Sequence, residues 1–303
     1  MRLLVTGGTG FIGRPLCRSL TGRGHQLIVL TRRPDAQPSR LGMTFLPWDT
    51  SAWQEALGEV DGVINLAGEP IAAKRWTTRQ KFALRESRIG TTHQLINTMA
   101  VLPHKPAVLI HASAIGYYGA RGDEEVTEAD TPGRGFLAEL CRAWEAEAQR
   151  AEPFGVRVVR LRIGVVLAAG GGALGKLVPP FRAFVGGPLG SGRQWVSWID
   201  REDLIGLIDW ILNSPSVSGA VNGTAPEPVR MRELAATLGH VLRRPSWAPV
   251  PAWLLRLMLG EMADLLLASQ RVIPEVALRH GYTFRYPQLR PSLAACLAPT
   301  VTP

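Results

Sequence analysis

Three glycines at three-residue intervals, Gly7, Gly10 and Gly13, stand between the apolar run Leu3-Leu4-Val5 and an amphipathic stretch over residues 11–20. A short buried strand, a glycine turn and a helix N-terminus, in that order, build a cradle for a pyrophosphate. The glycines let the backbone approach the ligand, and the helix dipole with its free N–H groups attracts the anion. A lone glycine triplet says little, but this strand–turn–helix context makes it informative. The spacing is also particular, because G-x-x-G-x-x-G is offset from the G-x-G-x-x-G of ordinary dinucleotide-binding dehydrogenases.

The rest of the first half alternates strand and helix. Residues 26–30, 43–46, 62–66, 107–111 and 156–161 read as further strands, and 78–100 and 136–150 carry helical periodicity. Such alternation predicts a Rossmann-type α/β fold, a doubly wound parallel sheet covered on both faces. Ligands of such sheets bind beyond the carboxyl ends of the strands, where the strand order reverses. From Gly170 the texture changes, with Gly170-Gly171-Gly172, Pro179-Pro180 and Gly186-Gly187-Pro188 punctuating short elements. A strand over 195–199, helices over 202–212 and 231–242, two helices flanking Gly260 and a last one over 289–297 predict a smaller α+β substrate lobe. The expected division is a dinucleotide domain over 1–170, an interleaved lobe over 171–298 and a loose tail over 299–303.

Composition narrows the classes. With 46% apolar and 19% charged residues in 303, the chain is an ordinary globular one. No opening stretch reads as a signal peptide, and the apolar segment 253–268 is interrupted by Arg256, Glu261 and Asp264, so no membrane partner is expected. Cys17, Cys141 and Cys296 are odd in number and far apart, which fits free thiols in a reducing cytoplasm. The net charge of +9 raises nucleic acid as a partner, but the arginines are scattered, without a basic stripe interleaved with aromatics. No nucleic acid is expected. The six histidines are dispersed, so no metal site is expected either.

The end of the second strand selects the dinucleotide. An acidic residue there would hold the ribose hydroxyls of NAD, whereas a basic one accommodates the extra phosphate of NADP. This chain has Thr31-Arg32-Arg33, and guanidinium groups match phosphate bidentately. NADP(H) is therefore expected over NAD(H).

Thr6-Gly7-Gly8-Thr9-Gly10-Phe11-Ile12-Gly13 resembles the fingerprint of extended short-chain dehydrogenases/reductases, the family that includes the nucleotide-sugar epimerases. The resemblance covers nearly the whole chain. It is carried further by Asn65-Leu66-Ala67-Gly68, by Arg193-Gln194-Trp195-Val196 with Asp200, by Val221-Asn222-Gly223, and by the tail elements Leu242-Arg243-Arg244-Pro245 and Leu259-Gly260-Glu261-Met262. The tail resembles an atypical epimerase-like branch with its own C-terminal domain, as do Arg75-Trp76-Thr77, Ser87-Arg88 and Ile115-Gly116-Tyr117-Tyr118-Gly119. The resemblance implies that Gly7, Thr9, Gly10, Phe11, Ile12 and Gly13 hold the pyrophosphate. By the same resemblance Asp49 contacts the adenine, Leu66, Ala67 and Gly68 flank the adenine ribose, Arg88 and Ser113 join the cofactor site, and Gly164 and Val165 lie near the nicotinamide. It also implies dimerisation through helices of the sheet layer, giving a homodimer.

The family's chemistry uses a Ser, a Tyr and a Lys four residues after the Tyr. Ser113 is placed for the first role, past the fifth strand. Where Tyr-x-x-x-Lys should open the next helix, the chain reads Gly135-Phe136-Leu137-Ala138-Glu139-Leu140-Cys141. Tyr117 and Tyr118 are the two tyrosines left near the expected site as proton donors, and a phenol without a nearby lysine is poorly matched to neutral-pH catalysis. Glu124, Glu125 and Glu128 follow as candidate carboxylates, and Trp195 and Trp198 as cleft-lining rings. Two readings stay open: an oxidoreductase or epimerase-like enzyme acting on a hydroxyl or carbonyl of a small or nucleotide-linked substrate, and an NADP(H)-binding sensor without turnover.

Overall fold

The computed structural model describes residues 1–38 and 40–298, and the tail expected over 299–303 lies outside the described residues. Chain order begins with β1 (Arg2–Thr6), α1 (Gly13–Gly22), β2 (Gln26–Thr31), β3 (Met43–Pro47), α2 (Ala52–Leu57) and β4 (Gly62–Asn65). It continues with α3 (Thr78–Arg85), a π-helical turn (Glu86–Gly90), α4 (Thr91–Val101) and β5 (Val108–Ala114). Next come β6 (Glu125–Val126), α5 (Phe136–Gln149), β7 (Arg157–Ile163), β8 (Val165–Leu167), α6 (Gly172–Arg182), β9 (Trp195–Val196), β10 (Trp198–Asp200), α7 (Arg201–Leu212) and β11 (Gly219–Gly223). The last part holds β12 (Val229–Arg230), α8 (Met231–Leu242), α9 (Ala252–Leu259), α10 (Asp264–Leu267), β13 (Arg271–Val272), α11 (Glu275–Arg279) and α12 (Leu289–Leu297).

Seven strands form one parallel sheet in the order β11-β7-β5-β4-β1-β2-β3, so the order reverses between β1 and β4. The strands are apolar on both faces because helices cover both. Leu3, Val5 and Ile64 join one core with α1 and α7, whereas Leu4, Val63 and Leu109 join another with α2, α4 and α5. Burying one such side chain contributes about 1.5–3 kcal/mol, so the alternation fixes each strand's register. A third core, around Trp198, Phe181, Leu234 and Leu293, belongs to the second lobe.

The structure differs from the sequence expectation in three places. Residues 78–100 do not form one helix: the π-helical turn interrupts them, with the hydroxyls of Thr91 and Thr92 bonding back to the carbonyls of Ser87 and Arg88 at 2.9 and 2.7 Å. Pro179 and Pro180 lie inside α6 rather than ending it, since their fixed φ is helical and only two N–H donors are lost. The strand over 195–199 divides at Ser197, whose hydroxyl donates to the carbonyl of Gln270 and accepts from the N–H of Val272. Beyond these three differences, β11 from the second half returns to pair with β7 as the edge of the main sheet, an interleaving of the kind expected for the lobe over 171–298. Among the described residues no helix is long and apolar enough to cross a membrane.

Candidate active site

The site begins where β1 ends. Gly7 has a left-handed φ of +66°, and a Cβ there would sit 2.6 Å from the carbonyl oxygen of Leu66. The N–H of Gly10 closes the turn on the carbonyl of Gly7 at 3.0 Å. Gly13 opens α1 so tightly against the turn that its Cβ would lie 2.6 Å from the Cα of Gly8. No side chain caps α1 and its first turn carries no acid, so the N–H groups at Phe11, Ile12 and Gly13, with Thr9 beside them, favour an anion. These residues fit a dinucleotide pyrophosphate. The ring of Phe11 turns away to brace the start of α6, where Cβ atoms on Gly171 and Gly172 would meet it at 2.9 and 2.8 Å.

Across the strand-order reversal, Asn65 at the end of β4 pins the opposite wall. The hydroxyl of Thr6 donates to Asn65 Oδ1 (2.5 Å) and accepts from the N–H of Ala67 (3.0 Å). Asn65 Nδ2 lies 3.1 Å from both Thr92 Oγ1 and His111 Nδ1, and the Trp144 indole donates to the same Thr92 hydroxyl at 3.0 Å. This buried network sets Leu66, Ala67 and Gly68 against Gly7. The π-helical turn delivers Arg88 to the same wall, where its guanidinium donates to the carbonyl of Glu69 (3.0 Å) and stands against Gly68. Burial holds the Arg88 pKa below its usual value.

Burial also pushes His111 down to about 3, with the positive charge of Arg160 adding to the effect. Its folded-state pKa lies below the unfolded value, so the unfolded chain binds one more proton between pH 6.5 and about 3. The stability His111 contributes is present above pH 6.5 and lost as pH falls through that window, at up to about 1.4 kcal/mol per pH unit. Urea denaturation at pH 6 and 4.5 is expected to show this slope in the native chain and a shallower one in His111→Gln. Equal slopes would contradict it.

Arg32 and Arg33 stand exposed just past β2, and the N–H of Arg33 donates to Thr31 Oγ1 at 3.3 Å. Asp49, past β3, lines an open cleft of about 480 Å³ with Trp48, Ser51, His93 and Asn97. Both lie on the same carboxyl edge as the glycine turn. Gly164 lies beyond β7 at a close crossing, since its Cβ would meet the carbonyl of Ser197 at 2.6 Å. The N–H of Val165 is already engaged by Ser197 at 2.9 Å, so it offers no donor to a ligand.

Past β5 the sequence-predicted reacting groups separate. Ser113 is buried and its hydroxyl donates to Glu145 Oε1 at 2.7 Å. Glu145, equally buried, takes a bidentate pair from Arg162 Nε and NH2 at 2.9 Å each. Arg162 NH1 donates to the Tyr118 hydroxyl (2.9 Å), which donates to Asn222 Oδ1 (2.7 Å). Tyr118 is therefore not an available proton donor: it is fully buried, both hydrogen-bonding roles are taken, and burial drives its pKa upward. Tyr117 is half-buried, the centroid of its ring 3.5 Å from the Arg162 guanidinium, and is the more accessible of the two tyrosines. The helical positions that face this turn from α5 are Leu137 and Cys141, one turn apart, as Gly116 shows by its proximity to both. Burial pushes the Cys141 thiol up to about 11.

The carboxylates expected in the following loop do other work. Glu125 pairs with Arg271, and Glu128 accepts from the N–H of Asn222 at 2.9 Å. Trp198 belongs to the core of the second lobe. Trp195 is half-buried and its indole donates to Asp123 at 3.1 Å, next to a cleft of about 540 Å³ lined by Asp123, Ser191, Arg193, Arg230, Arg232 and Ser269, in which Asp123 pairs with Arg230 at 2.6 Å. Next to Ser269, the Gln270 side chain donates to the carbonyls of Ile115 and Gly119 at 2.8 Å and so holds the turn carrying Tyr117. Sequence reasoning missed the Glu145–Arg162 pair, although Arg157, Arg160 and Arg162 within a strand of buried pattern were a signal that a carboxylate must meet them.

A parallel sheet whose strand order reverses at a glycine cradle, with a second lobe that has its own core, is the architecture of a Rossmann-type nucleotide-binding protein. The chain belongs to the NAD dependent epimerase/dehydratase family, whose model matches residues 3–222, and a domain of unknown function (DUF1731) matches 250–296. It is 42% identical over 303 residues to the chloroplastic epimerase family protein SDR39U1 homolog of Arabidopsis thaliana, covering 98% of this chain and 87% of the relative. It is 37% identical to the epimerase family protein YfhF of Bacillus subtilis, covering 98% of each. The crystal structure of human epimerase family protein SDR39U1 with NADPH superimposes with a TM-score of 0.86 at 33% identity, covering 98% of this chain and 99% of that one. The UDP-glucuronic acid 4-epimerase of Bacillus cereus, solved with UDP-glucuronic acid and NAD, shares the fold with a TM-score of 0.80 at 18% identity, covering 98% of each chain.

Proposed function

We propose that this protein is an NADPH-binding enzyme that acts on a hydroxyl or carbonyl carbon of a small anionic, free or nucleotide-linked, substrate. The observation that carries the reading is the glycine cradle of Gly7 and Gly13 in line with Arg32 and Arg33 at the end of β2, where guanidinium groups suit a ribose phosphate. The NADPH bound to the human relative supports it. A nicotinamide cofactor, when bound, supplies or accepts hydride. The chain's own part is to hold the substrate oxygen near Tyr117 and Ser113, and its anionic group among Arg193, Arg230 and Arg232. The sensor reading draws on Leu137 and Cys141, which leave α5 without a general acid at that turn, and on the Ser113 hydroxyl, whose proton is committed to Glu145.

The test is a fluorescence titration followed by turnover. The native chain should bind NADPH at least about tenfold more tightly than NADH, and Arg32→Ala/Arg33→Ala should erase the difference. Equal native affinities would refute the NADP preference. NADPH oxidation with any member of a carbonyl panel, reduced in Tyr117→Phe and raised in KM by Arg232→Ala, would establish the enzyme. Binding without turnover across the panel would favour the sensor.

A further inference from the structure

Away from the cleft, the second lobe presents a surface that the enzymatic reading does not use. Phe184, Val185 and Trp247 are each more than half exposed. They are built together rather than scattered: the Trp247 indole donates to the carbonyl of Phe184 at 3.0 Å, and the N–H of Ala248 donates to the carbonyl of Gly186 at 3.1 Å. The guanidinium of Arg244 lies 4.5 Å from the centroid of the Phe184 ring. Phe184 has a φ of +62°, a left-handed conformation that strains a bulky side chain. The fold tolerates that strain while leaving the ring in water. Further along the same chain segment, α9 exposes Trp253, Leu257 and Met258 by more than half.

Charge tells what such a surface fits. No aspartate or glutamate occurs between Glu152 and Asp200, or between Glu233 and Glu261, the two segments that build it. The same segments carry Arg182, Arg243, Arg244 and Arg256. Exposed tryptophan and phenylalanine flanked by arginine and free of carboxylate match the headgroup layer of an anionic bilayer. Aromatic rings settle at that depth, and arginine near an anionic surface is drawn to it. A second copy of this chain would place the same unbalanced cations against one another. We infer that the Phe184–Trp247 surface docks the protein peripherally on anionic phospholipid, which departs from the absence of any membrane partner expected from sequence.

The full chain is to be sedimented with vesicles of phosphatidylcholine, with or without about one-third phosphatidylglycerol. It should pellet with the anionic vesicles only, and less so as salt is raised. Pelleting should fall about tenfold in Phe184→Gly/Trp247→Ser and in Arg243→Glu/Arg244→Glu, with NADPH affinity unchanged. Arg243 is exposed and Arg244 half-buried against the Phe184 ring, and glycine at 184 relieves the left-handed strain, so the Phe184→Gly/Trp247→Ser variant should fold and keeps the test decisive. No pelleting by the native chain, or retention in both variants, would overturn the inference. So would a native dimer that Trp247→Ser dissociates while vesicle binding is absent.

Discussion

Arg162→Met is expected to destabilise the fold by about 3–5 kcal/mol, because it leaves Glu145 as a buried charge without its bidentate partner. Arg160, 3.6 Å from the same carboxylate, keeps some compensation and places the loss toward the lower end. The double variant Arg162→Met/Glu145→Leu removes both charges and should recover part of the loss, since a buried pair is often replaceable by apolar side chains. Urea denaturation of the two single variants, the double variant and the native chain gives the coupling directly. A loss below about 1 kcal/mol in Arg162→Met would mean that water already reaches Glu145, and the site would be wetter than its burial indicates.

Gly13→Val should cost at least about 100-fold in NADPH affinity, since the new side chain would occupy the turn that the pyrophosphate must approach. Gly22→Ala, at the last residue of the same helix and with open space around it, is the matched control. It should bind NADPH normally and lose no stability. Affinity of Gly13→Val within a few-fold of native would detach the glycine cradle from nucleotide binding.

Much of the fold was legible because apolar runs of four to six residues behind glycine turns have few alternatives. Gly7, Gly10 and Gly13 announced the cradle, and Arg32 and Arg33 fell at the strand end that the pattern predicted. What could not be read depended on partners distant in the chain. Gly219–Gly223 is too glycine-rich to look like a strand, and becomes one because β7 offers it a free edge. The π-helical turn at Glu86–Gly90 has no periodicity signature, and the hydroxyls of Thr91 and Thr92 that bond back to carbonyls within it leave the apolar pattern unchanged. Tyr117 and Tyr118 are adjacent and chemically identical, and only the positions of Arg162 and Asn222 decide which is buried.

The short pairing of β6 with β13 joins residues 125–126 to 271–272, and Gln270 holds the turn that carries Tyr117. That arrangement imposes an order of assembly. During synthesis the glycine cradle, its flanking strands and the α7 helix that packs on them all emerge before the segment, about half the chain away, for which the Tyr117 turn waits. Contacts of such long sequence separation form late and slowly. A nascent or C-terminally truncated chain would thus possess a nucleotide half without a finished reacting half, and maturation of the site would be clocked by its final strand.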